Sequence, residues 1–345
     1  MGFAKLVERL YLKVFVGITA SHSGIHVVVE MLKNGEAAER FSQSFGGDAD
    51  AELSAFLEPY LAESPLHYVA LLNSMDEQGA LPVGSEKEAE RFADLSTALT
   101  LAPGGEWLLY ASKPGIDALQ KRFGGIGVDF IFSPFSVLEQ FFADKIDTTT
   151  ALFVLLEDDA VSAAIFSEGR LLFARHLGIA HEDLHLTEAE ENDGVSLSFE
   201  LDIDGIEEGL ELEDINAIDD LEGLDDLDEI EDLDTMDDLE SFTEEEEIVV
   251  PARNEEISRD EGSLEGFDKD YKRFQLIQMT LEHYYGDPKY DSRFVESVYI
   301  ADGCGLDDDL KHYLEEELFM KVYVRRIDIP AEIADLAKRE LHDAS

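Results

Sequence analysis

The chain has 345 residues, of which 45% are hydrophobic, so it is long enough for about two domains with buried cores. Its formal net charge of −53 at pH 7 opposes direct binding to nucleic acid phosphates and to anionic lipid headgroups. The single cysteine, Cys304, excludes an internal disulfide, and no run of about 18 apolar residues is present, so we expect a cytoplasmic protein without membrane insertion.

The chain begins with MGFAKLVERL, in which the apolar residues fall on one face of a short predicted helix. That face can pack into a core, which we favour, or contact a membrane surface. Glu8, Arg9 and Lys13 interrupt the apolar run, so the segment is not typical of a signal peptide.

Residues 13–45 have the alternation of three consecutive strands. Helices and single strands then alternate up to residue 142. We predict helices over 48–63, 87–99, 114–123 and 133–142, and strands over 67–74, 106–112 and 128–134. A mixed α/β region with three strands at its front is therefore expected.

A second group of the same kind begins near Thr149. Strands are predicted over 151–156, 160–166 and 171–179, and the turns between them are Glu-Asp-Asp and Ser-Glu-Gly-Arg. The order strand, turn, strand, turn, strand thus occurs twice, about 135 residues apart, which indicates an internal duplication. Further on, we predict helices over 267–285 and 307–319 and strands over 295–305 and 321–330.

The negative charge is concentrated in residues 186–262, since no Lys or Arg occurs between 176 and 252. From Leu212 to Leu239 an apolar residue recurs at every third position, a period that fits neither one helix face nor a strand. We expect this insertion to be disordered when free, either as a solubilising spacer or as a docking tail. Residues 200–211 match the spacing of an EF-hand loop, which we interpret as chance in so acidic a segment.

Four stretches of this sequence carry a family resemblance: 13–36, 106–142, 151–178 and 293–324. In order and spacing they resemble the actin-like ATPase superfamily. Within it they most resemble the PilM family of type IV pilus machines, and next the cytoplasmic domain of the type II secretion L protein. The resemblance implies an α/β, actin-like (ribonuclease H-like) two-domain fold with mixed sheets and a long acidic disordered insertion. The first lobe would comprise 1–147, the second 148–185 and 263–345, and the insertion 186–262.

The resemblance also locates the positions at which family members bind ATP. Such members carry an Asp-x-Gly turn at the front of each domain and a glycine-rich turn beside the adenosine. Here Thr19 stands where the Asp belongs, Ser21 where the Gly belongs, and three adjacent carboxylates follow Leu156. The degenerate nucleotide-site positions are Gly17, Thr19, Ser21, Glu157, Asp159, Gly303 and Gly305. We therefore expect no cofactor, with ATP and Mg²⁺ as the alternative, and no catalytic residue.

Other candidate chemistry is weak. His181 and His185 are four residues apart, but no third His or Cys ligand follows at a metal-binding spacing, so we interpret them as a surface pair. Cys304 has no neighbouring base in the sequence and is expected to be a small packed residue. Trp107 begins a predicted strand and is expected in the core. No metal site is predicted.

The resemblance implies a non-enzymatic cytoplasmic scaffold that docks the cytoplasmic segment of a bitopic, PilN-like inner-membrane protein. The protein would lie at the inner membrane through that partner, in a type IV pilus, a type II secretion system or a flagellar motor. The insertion could in addition bind a basic protein. Two alternatives stay open: an active actin-like ATPase or nucleotide switch, and an acidic nucleic-acid mimic.

Overall fold

The computed structural model describes residues 11–34, 36–147, 150–179, 262–306 and 308–343. All of them belong to one compact unit, which comprises 1–188 and 259–345. The predicted N-terminal helix, the histidine pair, the EF-hand-like match and the acidic repeat lie outside the described residues. Within the described ranges, no helix is long and apolar enough to cross a membrane.

The described residues form thirteen strands, eight α-helices and a short 3₁₀ helix, Pro103–Gly105. The strands are β1 (Lys13–Ala20), β2 (Gly24–Lys33), β3 (Glu36–Gly46), β4 (Leu66–Leu72), β5 (Gln78–Leu81), β6 (Ala98–Leu101), β7 (Leu108–Ser112), β8 (Phe130–Phe132), β9 (Ala151–Leu156), β10 (Ala160–Ser167), β11 (Arg170–Gly178), β12 (Ser297–Asp302) and β13 (Lys321–Arg326). The helices are α1 (Asp50–Glu63), α2 (Glu86–Ala89), α3 (Lys113–Arg122), α4 (Pro134–Phe141), α5 (Ala143–Ile146), α6 (Gly262–Gly286), α7 (Asp308–Glu316) and α8 (Ile329–Asp343).

Two five-stranded sheets have the same topology. The first has the order β3-β2-β1-β4-β8 and the second the order β11-β10-β9-β12-β13. In each sheet the first three strands in sequence are antiparallel, and the last two run parallel to the first strand. The duplication predicted from the sequence is therefore confirmed, and so is an α/β fold with two mixed sheets.

Three apolar cores hold these layers together. One lies between the first sheet and helices α1 and α3, and a second between the second sheet and helices α6 and α7. The third core contains residues of both sheets together with α4, α5 and α8. Every residue of β9 and β10 is buried, as expected for central strands covered on both faces.

Two helices of the shared core each pack against the sheet that the other half of the chain forms. Helix α8, which follows the last strand of the second sheet, packs against β1, β2 and β4 of the first. Helix α4, which follows the first sheet, packs against β9 and β10 of the second. Each sheet is therefore covered on one face by a helix that the other half of the chain supplies.

Two regions differ from the sequence prediction. The helix predicted over 87–99 ends at Ala89, and residues 98–101 form β6 in a three-stranded sheet of order β5-β7-β6. Pairing with β7 outweighs the helical spacing there, because Leu99 and Leu101 lie on a sheet edge rather than on a helix face. The strand predicted over 321–330 ends at Arg326, and α8 follows with Pro330 in its first turn, a favourable position for proline.

Candidate functional site: the cleft between the two lobes

We use the word lobe for each five-stranded sheet with its helices. The β1–β2 turn and the β9–β10 turn occupy equivalent positions in the two lobes and contact each other across the cleft between the sheets. The backbone N–H of His22 donates to Asp159 Oδ2 at 2.7 Å, and Ser23 Oγ donates to Asp158 Oδ2 at 3.4 Å. The two turns in which the resemblance locates degenerate nucleotide-site positions are thus joined directly.

Two cavities meet at this bridge, and Ser21 and Glu157 line both of them. The smaller cavity, of about 390 Å³, lies beside β2, β3 and the start of α8, and Thr19 and Gly303 also line it. The larger cavity, of about 510 Å³, lies beside α3 and the end of β4, and Asp159 also lines it. Five of the seven predicted site positions therefore line the cleft, and the other two, Gly17 and Gly305, do not line these cavities.

Gly17 has a packing role. A Cβ atom at this position would overlap the backbone carbonyl of Pro330 in the first turn of α8. Only glycine therefore lets the helix approach β1 this closely. The sequence could not show this, because it did not predict α8.

Gly303 and Gly305, in the turn after β12, also have structural reasons that involve no bound nucleotide. A Cβ atom at Gly303 would overlap Ile329 and lie 2.8 Å from the carbonyl oxygen of Leu156. Gly305 has a φ of 81°, in the left-handed region that glycine adopts most readily.

The backbone donors of this turn already have an anionic partner. Asp302 Oδ1 accepts hydrogen bonds from the N–H groups of Cys304, Gly305 and Leu306, at 3.2, 2.8 and 3.0 Å. In a nucleotide site such converging N–H groups bind phosphate oxygens. Here a carboxylate of the chain takes that place, as Asp159 does for the N–H of His22.

Glu157 is the most perturbed acid of the cleft. Burial, and after it the neighbouring charges of Asp158 and Asp159, raise its pKa to about 8. Within the described residues, its buried Oε1 atom has no hydrogen-bond partner. Glu157 is therefore mostly protonated at neutral pH and adds little negative charge to the turn.

Cys304 is not a candidate nucleophile. Burial raises the pKa of its thiol to about 12, so the thiolate form is negligible near neutral pH. Within the described ranges, no three His, Cys, Asp or Glu side chains are grouped in a way that could hold a metal ion.

A buried ion pair that the sequence did not reveal lies behind the β9–β10 turn. Arg273 Nη1 donates to Asp270 Oδ1 at 2.9 Å, and its Nη2 donates to the carbonyl oxygen of Glu157 at 3.5 Å. Asp270 Oδ2 accepts from the backbone N–H of Leu310 in the first turn of α7 at 3.4 Å. The sequence did contain a signal for this ion pair. Asp270 and Arg273 have opposite charges and lie three residues apart on the predicted helix, next to the apolar Phe274.

A family model described as Domain of unknown function (DUF8341) matches residues 152–342, and one described as Domain of unknown function (DUF8569) matches residues 11–139. No curated protein matches the chain.

Three similar solved structures share only the general architecture. The first, a Bacteroides thetaiotaomicron protein of unknown function with an actin-like ATPase fold, is 10% identical (97% of this chain and 99% of that chain covered, TM-score 0.43). A chain of the PilM-PilN type IV pilus biogenesis complex is 15% identical (92% and 89%, TM-score 0.47). The ethanolamine utilization protein EutJ from Carboxydothermus hydrogenoformans is 9% identical (93% and 89%, TM-score 0.42).

Proposed function

This chain belongs to the family described as Domain of unknown function (DUF8341), and from the geometry of its cleft we propose that it is a non-enzymatic scaffold with an actin-like fold. The observation that carries the proposal is that backbone N–H groups in two of the three turns where the resemblance locates nucleotide-site positions already bond to carboxylates of the chain. Asp159 accepts from His22, and Asp302 accepts from the glycine turn, so these groups are not free to bind phosphate.

Electrostatics supports the same conclusion. Asp158 and Asp159 belong to the turn that would face the phosphates. At a separation of 4 Å and an effective dielectric constant near 20, each contact between two like charges costs about 4 kcal/mol. A triphosphate would have to displace the bridge between the turns and then lie against both carboxylates.

The first test is a calorimetric titration of the protein with ATP and Mg²⁺. We expect no saturable binding at micromolar concentrations, and the variant His22→Gln should behave like the parent, since the bridge uses the backbone N–H at this position. Micromolar affinity would contradict the scaffold proposal and favour a nucleotide switch.

A groove in the first lobe suits a partner. It encloses about 270 Å³ and is lined by apolar side chains of β6 and β8, among them Leu99, Leu101 and Ile131. Leu101 is 65% exposed. Among the described strands, β6 and β8 are each paired on one side only, so both present unpaired backbone groups. An extended peptide can add to such an edge and place alternate side chains in an apolar groove.

We propose that the occupant is the cytoplasmic segment of a bitopic, PilN-like inner-membrane protein, the partner class that the sequence resemblance implies. The protein would then lie in the cytoplasm, held at the inner membrane by this partner. The machine would be a type IV pilus, a type II secretion system or a flagellar motor. A basic protein bound to the acidic segment 186–262 is a separate part of the proposal.

This docking can be tested by photo-crosslinking in cells, with the crosslinker placed at Thr100 in β6. We expect the crosslinked peptides to come from a protein with a single membrane span, from the segment that precedes this span. Leu101→Glu should abolish the crosslink, whereas the matched variant Phe319→Glu, at an exposed aromatic residue elsewhere on the surface, should retain it. Crosslinks that survive Leu101→Glu would show that the groove is not the docking site.

A further inference from the structure

Strand β13 is the outer strand of the second sheet, and its free edge is open. Within the described residues it pairs with β12 alone, so its other side presents unpaired backbone N–H and C=O groups. Tyr323 and Val324 on this strand are 49% and 40% exposed. The edge therefore combines backbone groups that can bond to a further strand with apolar side chains that such a strand would cover.

Stacked aromatic rings cross three strands of the second sheet and end at this edge. Tyr299 of β12 lies between its register partners, Phe153 of β9 and Tyr323 of β13. The ring centroids of Phe153 and Tyr299 are 5.2 Å apart with 13° between the planes, and those of Tyr299 and Tyr323 are 4.9 Å apart with 16°. Phe153 is fully buried, whereas Tyr323 is the half-exposed last ring. A residue opposite Tyr323 on an added strand would continue the stack.

The exposed charge on β13 is positive, although the whole chain has 79 Asp and Glu against 26 Lys and Arg. Lys321 is exposed, and the side chain of Arg326 is 86% exposed, with its Nε atom 3.9 Å from Asp302 Oδ2. Arg325 is already bound to Asp144 on α5, at 3.0 and 2.9 Å. Lys321 and Arg326 are therefore the cations that a bound peptide would meet.

These charges decide which occupant suits the edge. Tyr323 is the only aromatic residue of β13, so an antiparallel second copy could continue the stack only with its own Tyr323. That register places Lys321 opposite Arg325 of the second copy, and like charges directly opposite each other are unfavourable. Charge alone can protect an edge from pairing, but the exposed Tyr323 and Val324 favour pairing. An extended segment with an aromatic residue between acidic residues meets both requirements.

We propose that β13 is a docking edge for an extended acidic peptide of a partner protein, which adds a strand to the second sheet. The aromatic residue of the peptide stacks on Tyr323, an adjacent apolar residue packs against Val324, and carboxylates pair with Lys321 and Arg326. This surface lies in the second lobe, away from the groove between β6 and β8. It goes beyond the proposed function and does not depend on it.

The test uses the full chain and a defined probe, a short fluorescent peptide with one phenylalanine between two valines and two glutamates at each end. Fluorescence anisotropy gives the affinity at about 0.15 M salt, where charges more than about 8 Å away are largely screened. Hydrogen–deuterium exchange mass spectrometry locates the peptide. We expect saturable binding and slower exchange of the amides of residues 321–326, because their outward N–H groups gain partners.

Two variants test the named side chains, and a third is the control. Tyr323→Ala should weaken binding by about 2- to 13-fold, the loss expected for one aromatic pair. Lys321→Glu with Arg326→Gln should weaken it by about 2- to 30-fold, as expected for two exposed ion pairs. Lys87→Glu with Lys121→Gln makes the same change of net charge at exposed positions on α2 and α3, and should bind the peptide like the parent.

Several results would overturn the proposal. These are no saturable binding at millimolar peptide, equal binding of a peptide with lysines in place of the glutamates, unchanged affinity in both variants, or protection only outside residues 321–326. Protection of β13 in the protein alone would also overturn it. Protection that grows with protein concentration would assign the edge to a second copy, and protection that does not would assign it to a segment of the chain itself. The ATP titration and the crosslink at Thr100 are read separately, so this proposal and the proposed function can fail independently.

Discussion

Replacing Glu157 by Gln removes a titratable carboxyl group and nearly preserves its shape. In the folded chain the pKa of this carboxyl is about 8, because it is buried next to Asp158 and Asp159, whereas its ordinary pKa is 4.5. Between these two pH values the unfolded chain has lost the proton while the folded chain keeps it. The parent should therefore lose stability as pH rises from about 4.5 to 8, and the loss should level off above that range.

The size of the effect follows from the pKa shift. At about 1.36 kcal/mol per unit, the whole shift corresponds to at most about 5 kcal/mol. Glu157 is partly exposed although its Oε1 atom is buried, so solvent reduces this figure, and we expect about 2–4 kcal/mol. The free energy of unfolding of Glu157→Gln should lack this contribution. Its pH dependence should therefore equal that of the parent minus the part that Glu157 contributes.

The assay is denaturant unfolding at pH 5, 6, 7 and 8, followed by the fluorescence of the single tryptophan, Trp107, which is buried. The free energy of unfolding of Glu157→Gln should rise relative to the parent by about 1.5–3 kcal/mol between pH 5 and pH 8, since about three quarters of the whole effect falls in this range. The control Glu58→Gln, at an exposed position on α1, should show the same pH dependence of the free energy of unfolding as the parent. A difference between Glu157→Gln and the parent that does not change with pH would refute the reasoning.

Two further predictions concern packing around the cleft. Gly17→Ala should lower the free energy of unfolding by about 2 kcal/mol or more, because backbone must move to admit the methyl group, whereas Gly46→Ala, with open space around it, should change it by less than about 0.5 kcal/mol. If thermal unfolding shows equal losses of stability for Gly17→Ala and Gly46→Ala, the packing role of Gly17 is wrong. Arg273→Met should cost about 3–5 kcal/mol because Asp270 is left buried without its cation, and adding Asp270→Leu should recover most of the loss. A double variant as unstable as Arg273→Met alone would contradict this account.

The sequence predicted the duplicated sheets well because their signal is local. The alternation that marks the strands lies within residues 13–46 and 151–178, and the turns of the second group are at 157–159 and 167–170. Each strand or turn can be recognised from the residues next to it in the sequence. The three-stranded sheet was missed, because β6 carries a spacing that suits a helix equally well. Its partner β5 is only four residues long.

The chemistry of the cleft was less predictable for a physical reason. In the sequence Gly17 and Gly303 resemble remnants of a phosphate site, yet a Cβ atom at either position would overlap the first turn of α8. For Gly17 that turn lies near the other end of the sequence. The bond from His22 to Asp159 spans 137 residues and exists only because the shared core sets the spacing of the lobes. Sequence spacing alone carries no information on such a distance.

The crossing of α8 has a consequence for biosynthesis. The face of β1 that carries Phe15 and Gly17 is covered by Ile333, Ala334 and their neighbours on α8. While the ribosome is still making the second half of the chain, this apolar face has no helix to cover it. We therefore expect the first lobe, although it is translated earlier, to complete its packing only after residues 329–343 have emerged. A nascent chain halted before α8 should be prone to aggregation.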